Sequence, residues 1–251
     1  MRSFISPVLL CSAVASLGAE QIQFQSGTNH IALIELYTSE GCSSSPPAEE
    51  SFSRLKAHPR LWLDFVPAAF HVDYWDYLGW PDRFGAADYS ERQRAYAAEW
   101  KSRSVYTPGF VLDGQEWRGR FSADKVPSLS HRSAGTLMLN SEDSKRWLLR
   151  FEPTSRSSSG SAVFYAALLG FDLITDVKAG ENRGRKLKHD FVVLTMSKVE
   201  SSRRGEAFEG MITLPPPRIQ CDRFAVTAWV CRNGSLEALQ AVGGWLPSAK
   251  R

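Results

Sequence analysis

The sequence predicts an α/β domain followed by an all-β, sandwich-like domain, and three observations support this. The chain of 251 residues is 43% hydrophobic, which is enough for one large or two small cores. Strand and helix patterns alternate from Ile31 to about Arg132. After Gly135 the helix patterns fade, and short strands follow one another, separated by Ser, Gly and Pro. We therefore place the two domains at residues 28–134 and 135–247.

Residues 1–19 have the pattern of a signal peptide. Arg2 supplies a positive charge, and the apolar run Phe4–Ala19 ends in small residues that suit cleavage. Pro7 and the short length of the run argue against a membrane span. The sequence therefore predicts an exported protein, periplasmic or secreted after cleavage, without a membrane-spanning segment.

The first elements of the α/β domain follow from apolar runs and from prolines. A continuous apolar strand begins at Ile31, and the pair Pro46–Pro47 favours the start of a helix. The next strand covers Leu61–Val72, where Pro67 indicates a break or an edge of the sheet. This order predicts a mixed sheet with helices on its faces.

Three further elements complete the predicted α/β domain. Residues Tyr89–Lys101 form a helical pattern. Asp113–Gly114 suits the two-residue turn of a hairpin, because both positions tolerate positive φ. We expect a last helix near Ala123–His131.

The second domain is predicted from strands alone. The strand-like segments are "RWLLRF", "SAVFYAALLGF", "HDFVVLTMS", "AFEGMITL" and "FAVTAWVC". Asn233–Gly234 turns the last of them into a hairpin with Leu236–Val242. Five or six strands at this spacing are typical of a β-sandwich.

The charge balance indicates no highly charged partner. The chain has 30 Lys and Arg against 27 Asp and Glu, a net charge of +3. Basic clusters occur at Asn182–His189 and Ser201–Glu206, and we interpret both as solvated turns. The first belongs to "GENRGRKLKH", which is expected to form a polar hairpin of the second domain and could contact the first domain, although nothing in its composition requires that. Neither nucleic acid nor an anionic membrane is therefore expected as a partner, and the oligomeric state is left open.

Disulfides persist in exported proteins, so each cysteine needs an interpretation. Removal of the signal peptide leaves Cys42, Cys221 and Cys231. If the strand between Cys221 and Cys231 is extended, their α-carbons lie about 30 Å apart, whereas a disulfide needs about 6 Å. We expect two partly buried thiols there, and Cys42 stands alone.

Several segments resemble the DUF1223 family of exported bacterial proteins, whose N-terminal half is similar to thioredoxin. The resemblance rests on "IELYTSEGCSSSPPAEE", "FHVDYWDYLGWPDRF", "RQRAYA", "VYTPGFVLDG" and "KAGENRGRKLKHDFVV", which span nearly the whole mature chain. It implies that residues 28–134 form a thioredoxin-like domain, and it implies little about activity. The family's usual block reads Cys-Ser-Ser-Cys, whereas this chain has Ser45 at the second cysteine position.

Cys42 is the predicted catalytic residue. Near the start of a helix, free N–H groups and the helix dipole stabilise a thiolate, which is the form that attacks disulfides. Ser45 can donate a hydrogen bond to the sulfur or cap the helix, but it cannot attack a mixed disulfide. Ser43 and Ser44, which lie between Cys42 and Ser45, are expected to contact substrate.

The resemblance implies that Pro108 is a cis-proline facing Cys42. About 5–6% of X-Pro bonds in folded proteins are cis, so the sequence alone is weak support. Such a proline leaves the backbone at Tyr106 and Thr107 free to pair with an extended substrate chain.

The aromatic stretch His71–Trp80 has two interpretations. It is either a binding loop beside Cys42, with His71, Asp73, Tyr74 and Trp75 in contact with substrate, or an irregular connection packed by its own aromatic rings. A metal site of His71, Asp73 and Cys42 is a weaker hypothesis, because no ligand pair has short helical spacing. The sequence predicts neither a metal nor a cofactor.

The function favoured by these residues is thiol–disulfide exchange by a monothiol protein. Its partners would be protein thiols or disulfides, or a low-molecular-weight thiol that performs the release step. The alternative is a non-catalytic thioredoxin-like scaffold that binds a protein partner, and metal binding is a third hypothesis. Substrate, redox direction and the role of the second domain stay open.

Overall fold

The structure is a computed structural model that describes residues 21–118, 132–155 and 160–247. The predicted signal peptide and the predicted helix near residues 123–131 lie outside these ranges. Within them the chain forms fifteen strands, two α-helices and two short 3-10 helices.

The first half contains both α-helices. Its elements are β1 (Ile22–Gln25), β2 (Ala32–Thr38), α1 (Ser45–Ser53), β3 (Phe65–His71), α2 (Ala87–Glu99), β4 (Gly109–Leu112) and β5 (Gln115–Trp117), with 3-10 helices at Arg54–Ala57 and Asp76–Leu78.

The second half contains only strands among the described residues. They are β6 (Gly135–Ser141), β7 (Arg146–Pro153), β8 (Ala162–Gly170), β9 (Leu173–Asp176), β10 (Lys186–His189), β11 (Val192–Glu200), β12 (Ser202–Arg204), β13 (Ala207–Thr213), β14 (Phe224–Arg232) and β15 (Ala238–Trp245).

An eight-stranded sheet forms the centre of the molecule. Its strand order is β15-β14-β8-β11-β3-β2-β4-β5. β3 runs parallel to β2 and also pairs in parallel with β11 through Val192 and Ala69. The sheet therefore joins strands from both sides of the predicted domain boundary between residues 134 and 135, and that boundary itself stays a prediction.

A five-stranded antiparallel sheet packs on one end of the eight-stranded sheet. Its order is β1-β6-β7-β13-β12, and Leu137, Trp147 and Phe151 fill the interface with Phe164 and Val230 of the larger sheet. This packing is roughly compatible with the sandwich-like arrangement expected for the second half.

The predicted fold class, an α/β thioredoxin-like domain followed by an all-β sandwich-like domain, is wrong. The described chain is mostly β-strand, and its two helices have only 9 and 13 residues. Strand periodicity identified the elements but not their partners. Because β11 fills the edge of β3, the strands of the first half belong to a larger β-sheet instead of a separate α/β unit.

Several local predictions are confirmed. The strand from Ile31, the helix at Pro46–Pro47 and the later helix correspond to β2, α1 and α2. Asp113 and Gly114 have φ of 49° and 86°, and they turn β4 into β5 as predicted. The hairpin at Asn233–Gly234 joins β14 to β15.

Pro67 lies inside β3, although proline in a β-sheet is usually confined to edge strands. It pairs with Ile34 of β2, while β3 pairs with β11 through Ala69. Pro67 therefore needs no hydrogen bond on the β11 side, and β3 behaves as an edge at that point.

The two helices cover opposite faces of the large sheet. Phe52 of α1 packs against Phe110 and Phe191. On the other face, Tyr89 of α2 packs against Phe70 of β3. Among the described residues, no helix combines the length and apolar character needed to cross a membrane.

A buried ion pair anchors α2 to the sheet. Arg92 of α2 donates hydrogen bonds of 2.8 and 3.0 Å to the two carboxylate oxygens of Glu35 on β2. The hydroxyls of Tyr37 and Tyr96 donate to the same carboxylate at 2.7 and 2.6 Å. All four side chains are buried, so the charges are satisfied by this network and not by water.

Candidate functional site

Cys42 lies in the tight connection between β2 and α1. Its N–H donates to the Ser39 carbonyl at 3.1 Å, and the Ser45 N–H donates to the Cys42 carbonyl at 3.2 Å. Gly41 is needed for close approach, since an added Cβ would lie 2.9 Å from the Cβ of Trp75. The expectation that Cys42 sits just before a helix is confirmed, because α1 begins at Ser45.

The Cys42 sulfur lies just below the surface among hydrogen-bonding groups. Cys42 is only 3% exposed, but its neighbour Ser44 is exposed. The sulfur is 3.2 Å from Ser44 Oγ and 3.5 Å from the Thr107 carbonyl oxygen, which lies 3.4 Å from Ser44 Oγ. As a thiol, Cys42 donates to the Thr107 carbonyl; as a thiolate, it accepts from the Ser44 hydroxyl.

The hydroxyl groups around the sulfur favour the thiolate, whereas the Thr107 carbonyl can accept only from the thiol. Burial raises the pKa of Cys42, but hydrogen bonding by Ser44, Ser45 and Thr107 lowers it below the ordinary thiol value. The Ser45 hydroxyl contributes although it is not aligned for a full hydrogen bond. Pro46 and Pro47 stand at the first helical positions and have no N–H, so side-chain hydroxyls matter more here than at most helix starts.

The other two described cysteines are poor nucleophiles. Cys42, Cys221 and Cys231 are all free thiols in the described part of the chain. Burial raises the pKa of Cys221, and it raises the pKa of Cys231 to about 12. Among these three residues, Cys42 therefore stands out as the thiol with a lowered pKa.

The loop ending at Pro108 lies against Cys42, as the resemblance implied. The peptide bond between Thr107 and Pro108 is cis. Trp75 Nε1 donates a hydrogen bond of 2.8 Å to Thr107 Oγ1, which leaves the Thr107 hydroxyl proton free for another acceptor. Trp75 thus connects the aromatic stretch to the sulfur through Thr107.

Tyr74 and Tyr106 are linked through Gln93 of α2. Tyr74 OH donates to Gln93 Oε1 at 3.0 Å, and Gln93 Nε2 donates to the Tyr106 carbonyl at 2.7 Å. Burial and the nearby Cys42 sulfur raise the pKa of Tyr74. The Tyr106 carbonyl is therefore occupied by Gln93. The Tyr106 side chain turns outward, where its hydroxyl donates to Glu116 and its ring is exposed.

His71 and Asp73 do not join the Cys42 group. His71 Nδ1 pairs with Asp82 Oδ2 at 2.7 Å, and Ser90 Oγ donates to Asp73 Oδ1 at 2.5 Å. Successive residues at the end of β3 point to opposite sides, which carries His71 into the core. The hypothesis of a metal site formed by His71, Asp73 and Cys42 therefore lacks support from the described contacts.

A hairpin from the second half of the chain closes the other side of the site. Asn182 Nδ2 donates to the carbonyls of Glu40 and Cys42, both at 2.9 Å. The Ser43 N–H donates to Glu181 Oε2 at 2.9 Å. The interpretation of Asn182–His189 as a solvated turn is wrong at both ends, because Asn182 and His189 are buried.

Glu49 and His189 were not predicted as site residues, although the sequence carries a signal for the burial of both. In "KLKH" the lysines alternate with Leu187 and His189, and the strand β10 buries only the latter pair. On α1, Ser45, Glu49 and Phe52 follow helical spacing and form its buried face. Asn182 has no such pattern around it.

Fold and site together define a β-rich protein with one lowered-pKa cysteine held at a helix start by two loops and a hairpin. The chain belongs to the family described as "Protein of unknown function (DUF1223)", whose model matches residues 33–230. No curated protein matches the chain.

Two solved structures share this fold. The crystal structure of protein AGR_C_4864 from Agrobacterium tumefaciens is 21% identical, with a TM-score of 0.60 over 90% of this chain and 98% of that chain. HBP35 of Porphyromonas gingivalis is 12% identical, with a TM-score of 0.59 over 90% of this chain and 79% of that chain. At these identities the similarity concerns the fold alone.

Proposed function

We propose that this protein exchanges thiols and disulfides as an exported monothiol protein, and that it does so through Cys42. The observation that carries the proposal is the position of the Cys42 sulfur just before α1, 3.2 Å from the hydroxyl of the exposed Ser44, where hydroxyl donors lower its pKa. The substrate class is protein disulfides, together with a low-molecular-weight thiol.

The exchange needs no oxidant or reductant beyond its two sulfur partners. The Cys42 thiolate attacks one sulfur of a disulfide, the old S–S bond breaks, and a Cys42 mixed disulfide forms. The second sulfur leaves as a thiolate and takes a proton from water. A small thiol then attacks the mixed disulfide and releases Cys42, because the Ser45 hydroxyl cannot perform this step.

Exposed rings beside the site favour a polypeptide substrate. Tyr77 is 78% exposed, and its ring stacks on Trp75 at a centroid distance of 6.5 Å. Tyr106 is 42% exposed on the other side of Thr107. Aromatic side chains of this kind are common anchors of protein contacts. The same rings support the alternative function, which is to bind a protein partner without chemistry.

The first prediction concerns the pH dependence of Cys42 alkylation. With a small alkylating reagent, the rate at Cys42 should rise with pH through a midpoint below the ordinary thiol pKa of about 8.5. Ser44→Ala should move this midpoint upward, because the thiolate loses its hydroxyl donor. Peptide mass spectrometry of quenched samples measures each cysteine separately.

Two references make this measurement specific. Ser43→Ala removes the neighbouring exposed hydroxyl without touching the sulfur, and its midpoint should equal that of the natural chain. Cys221 serves as an internal reference, since its pKa is raised. A Cys42 midpoint at or above that of Cys221 would contradict the proposal and favour protein binding without chemistry.

The second prediction is that Cys42 accumulates as a mixed disulfide. Without a second thiol at position 45, release depends on an outside thiol, so the adduct should persist when the exporting cell is quenched with acid. Mass spectrometry should find the added mass on Cys42 and its loss after reduction. A free Cys42 that also fails to react with a model disulfide would disprove the exchange function.

A further inference from the structure

Below the Cys42 loop, a buried cluster brings together two histidines and three carboxylates. Its members are Glu40, Glu49, His71, Asp82 and His189, and all five are buried. Glu49 belongs to α1, His71 to β3 and His189 to β10, so the cluster joins both halves of the chain. The exchange chemistry at Cys42 uses none of these side chains.

Three polar atoms of the cluster lack a hydrogen-bond partner. They are His71 Nε2, His189 Nε2 and Glu40 Oε1. The last two lie 3.2 Å apart and form an ion pair when His189 is protonated, so His71 Nε2 is the one of the three without a polar partner. A buried polar atom without a partner is rare in folded proteins, and His71 Nε2 lies beside ligand atoms of Glu49 and His189, which indicates a site for a further group.

The neighbouring contacts hold each ring and carboxylate in place. Asp82 accepts from His71 Nδ1 and also from the N–H of Glu40 and Phe84, which leaves His71 Nε2 directed into the cluster. Thr38 donates to Glu49 Oε1 at 2.6 Å. A carboxylate on the far nitrogen of a histidine is the usual support of a metal ligand.

We infer that Glu49, His71 and His189 bind one divalent transition-metal ion, with Zn²⁺ as the best match to the ligand set. One ligand atom from each residue lies within 4.8 Å of the others. Ligands about 2.0–2.1 Å from a tetrahedral zinc lie about 3.4 Å from one another. The present spacings, from 2.5 Å between His189 Nδ1 and Glu49 Oε2 upward, require only small side-chain movements.

Charge also favours a cation at this position. With both imidazoles neutral, as metal binding requires, Glu40, Glu49 and Asp82 carry three negative charges, and a divalent ion offsets two of them. Phe84 packs its ring against both His71 and His189 at about 5 Å, which keeps water away from the ligands. Two imidazoles favour a transition-metal ion over Mg²⁺ or Ca²⁺, and zinc also accepts a carboxylate oxygen.

A proton competes with the metal for His189. Burial lowers the pKa of His189, but Glu49 and Glu40 raise it to about 10. Metal binding must displace that proton, so refolding with zinc is best done at mildly alkaline pH.

The test uses the full mature chain without a histidine tag. The protein is unfolded in denaturant that contains a chelator, and the chelator is then removed. The protein is refolded with or without ZnCl₂ and separated from free metal. We expect about one zinc per chain by elemental analysis and a higher Tm in the zinc sample, because a ligand that binds only the folded state stabilises it. His71→Gln should lose the bound zinc, whereas His58→Gln, a histidine outside the cluster, should keep it.

A second measurement covers the case in which His71→Gln fails to fold. Crystals of the natural chain grown with zinc should show an anomalous difference peak between Glu49, His71 and His189. The inference is overturned if the refolded natural chain retains no zinc, if His71→Gln retains as much as His58→Gln, or if the peak lies elsewhere. None of these outcomes bears on Cys42 alkylation, so this site and the exchange function are tested separately.

Discussion

Replacement of Arg92 by methionine should lower the free energy of unfolding by about 3–5 kcal/mol. Methionine approximates the length of the side chain but leaves the buried Glu35 carboxylate without its cation. It also removes a guanidinium that lies about 5 Å from the ring centres of Tyr96, Tyr165 and Trp229. Chemical denaturation followed by circular dichroism measures the loss.

The same helix offers a matched control. Arg94 is exposed two residues further along α2, and Arg94→Met should change stability by less than about 0.5 kcal/mol. Combining Arg92→Met with Glu35→Gln should cost less than the sum of the two single changes, since the second removes the orphaned charge. Strict additivity would show that Arg92 and Glu35 do not interact energetically in the folded protein.

Local signals explain which parts of the fold were predictable. An apolar run predicts β2, paired prolines predict the start of α1, and residues that tolerate positive φ predict the turn at Asp113–Gly114. Each of these signals lies within a few positions of the element that it predicts. The junction between β3 and β11 depends on Val192 and Ala69, which are far apart in the chain. Because no short-range pattern encodes such a pairing, the sequence predicted an α/β fold for strands that belong to one larger sheet.

The candidate site divides in the same way. Cys42, Ser44 and Thr107 were identified because the motif is short and the resemblance adds the loop that contacts it. Asn182 was not identified, because a lone Asn in a basic turn is typical of a solvated loop. Its two hydrogen bonds to the Cys42 loop exist only because the hairpin after β9 folds back onto α1.

The charged cluster shows a third case, in which a signal exists but indicates more than one function. Buried positions of Glu49 and His189 follow from helical and strand periodicity, yet buried polar residues of this kind more often satisfy one another than bind an ion. Only the unpaired nitrogen of His71 separates the two interpretations, and that requires coordinates.

Ser45→Cys should convert the single thiol into a reversible dithiol pair. The hydrogen bond from the Ser45 N–H to the Cys42 carbonyl closes a β-turn, in which the two α-carbons lie less than about 7 Å apart. A disulfide needs about 4.4–6.8 Å, so the new thiol should be within reach of Cys42. Release of a trapped partner then becomes intramolecular, at an effective concentration of about a millimolar or more.

The expected result is that the fraction of Cys42 held as a mixed disulfide falls by at least about tenfold, and that reduction of a model protein disulfide no longer needs a small thiol for release. Acid-quenched mass spectrometry measures the first effect and a turbidity assay of insulin reduction the second. Ser43→Cys adds a thiol to the same loop at an adjacent, exposed position that is poorly placed to bridge Cys42, and it should leave the adduct unchanged. If Ser45→Cys behaved like Ser43→Cys while Cys42 still reacted with disulfides, the turn would have to open during exchange, since a closed turn holds the two sulfurs within bonding reach.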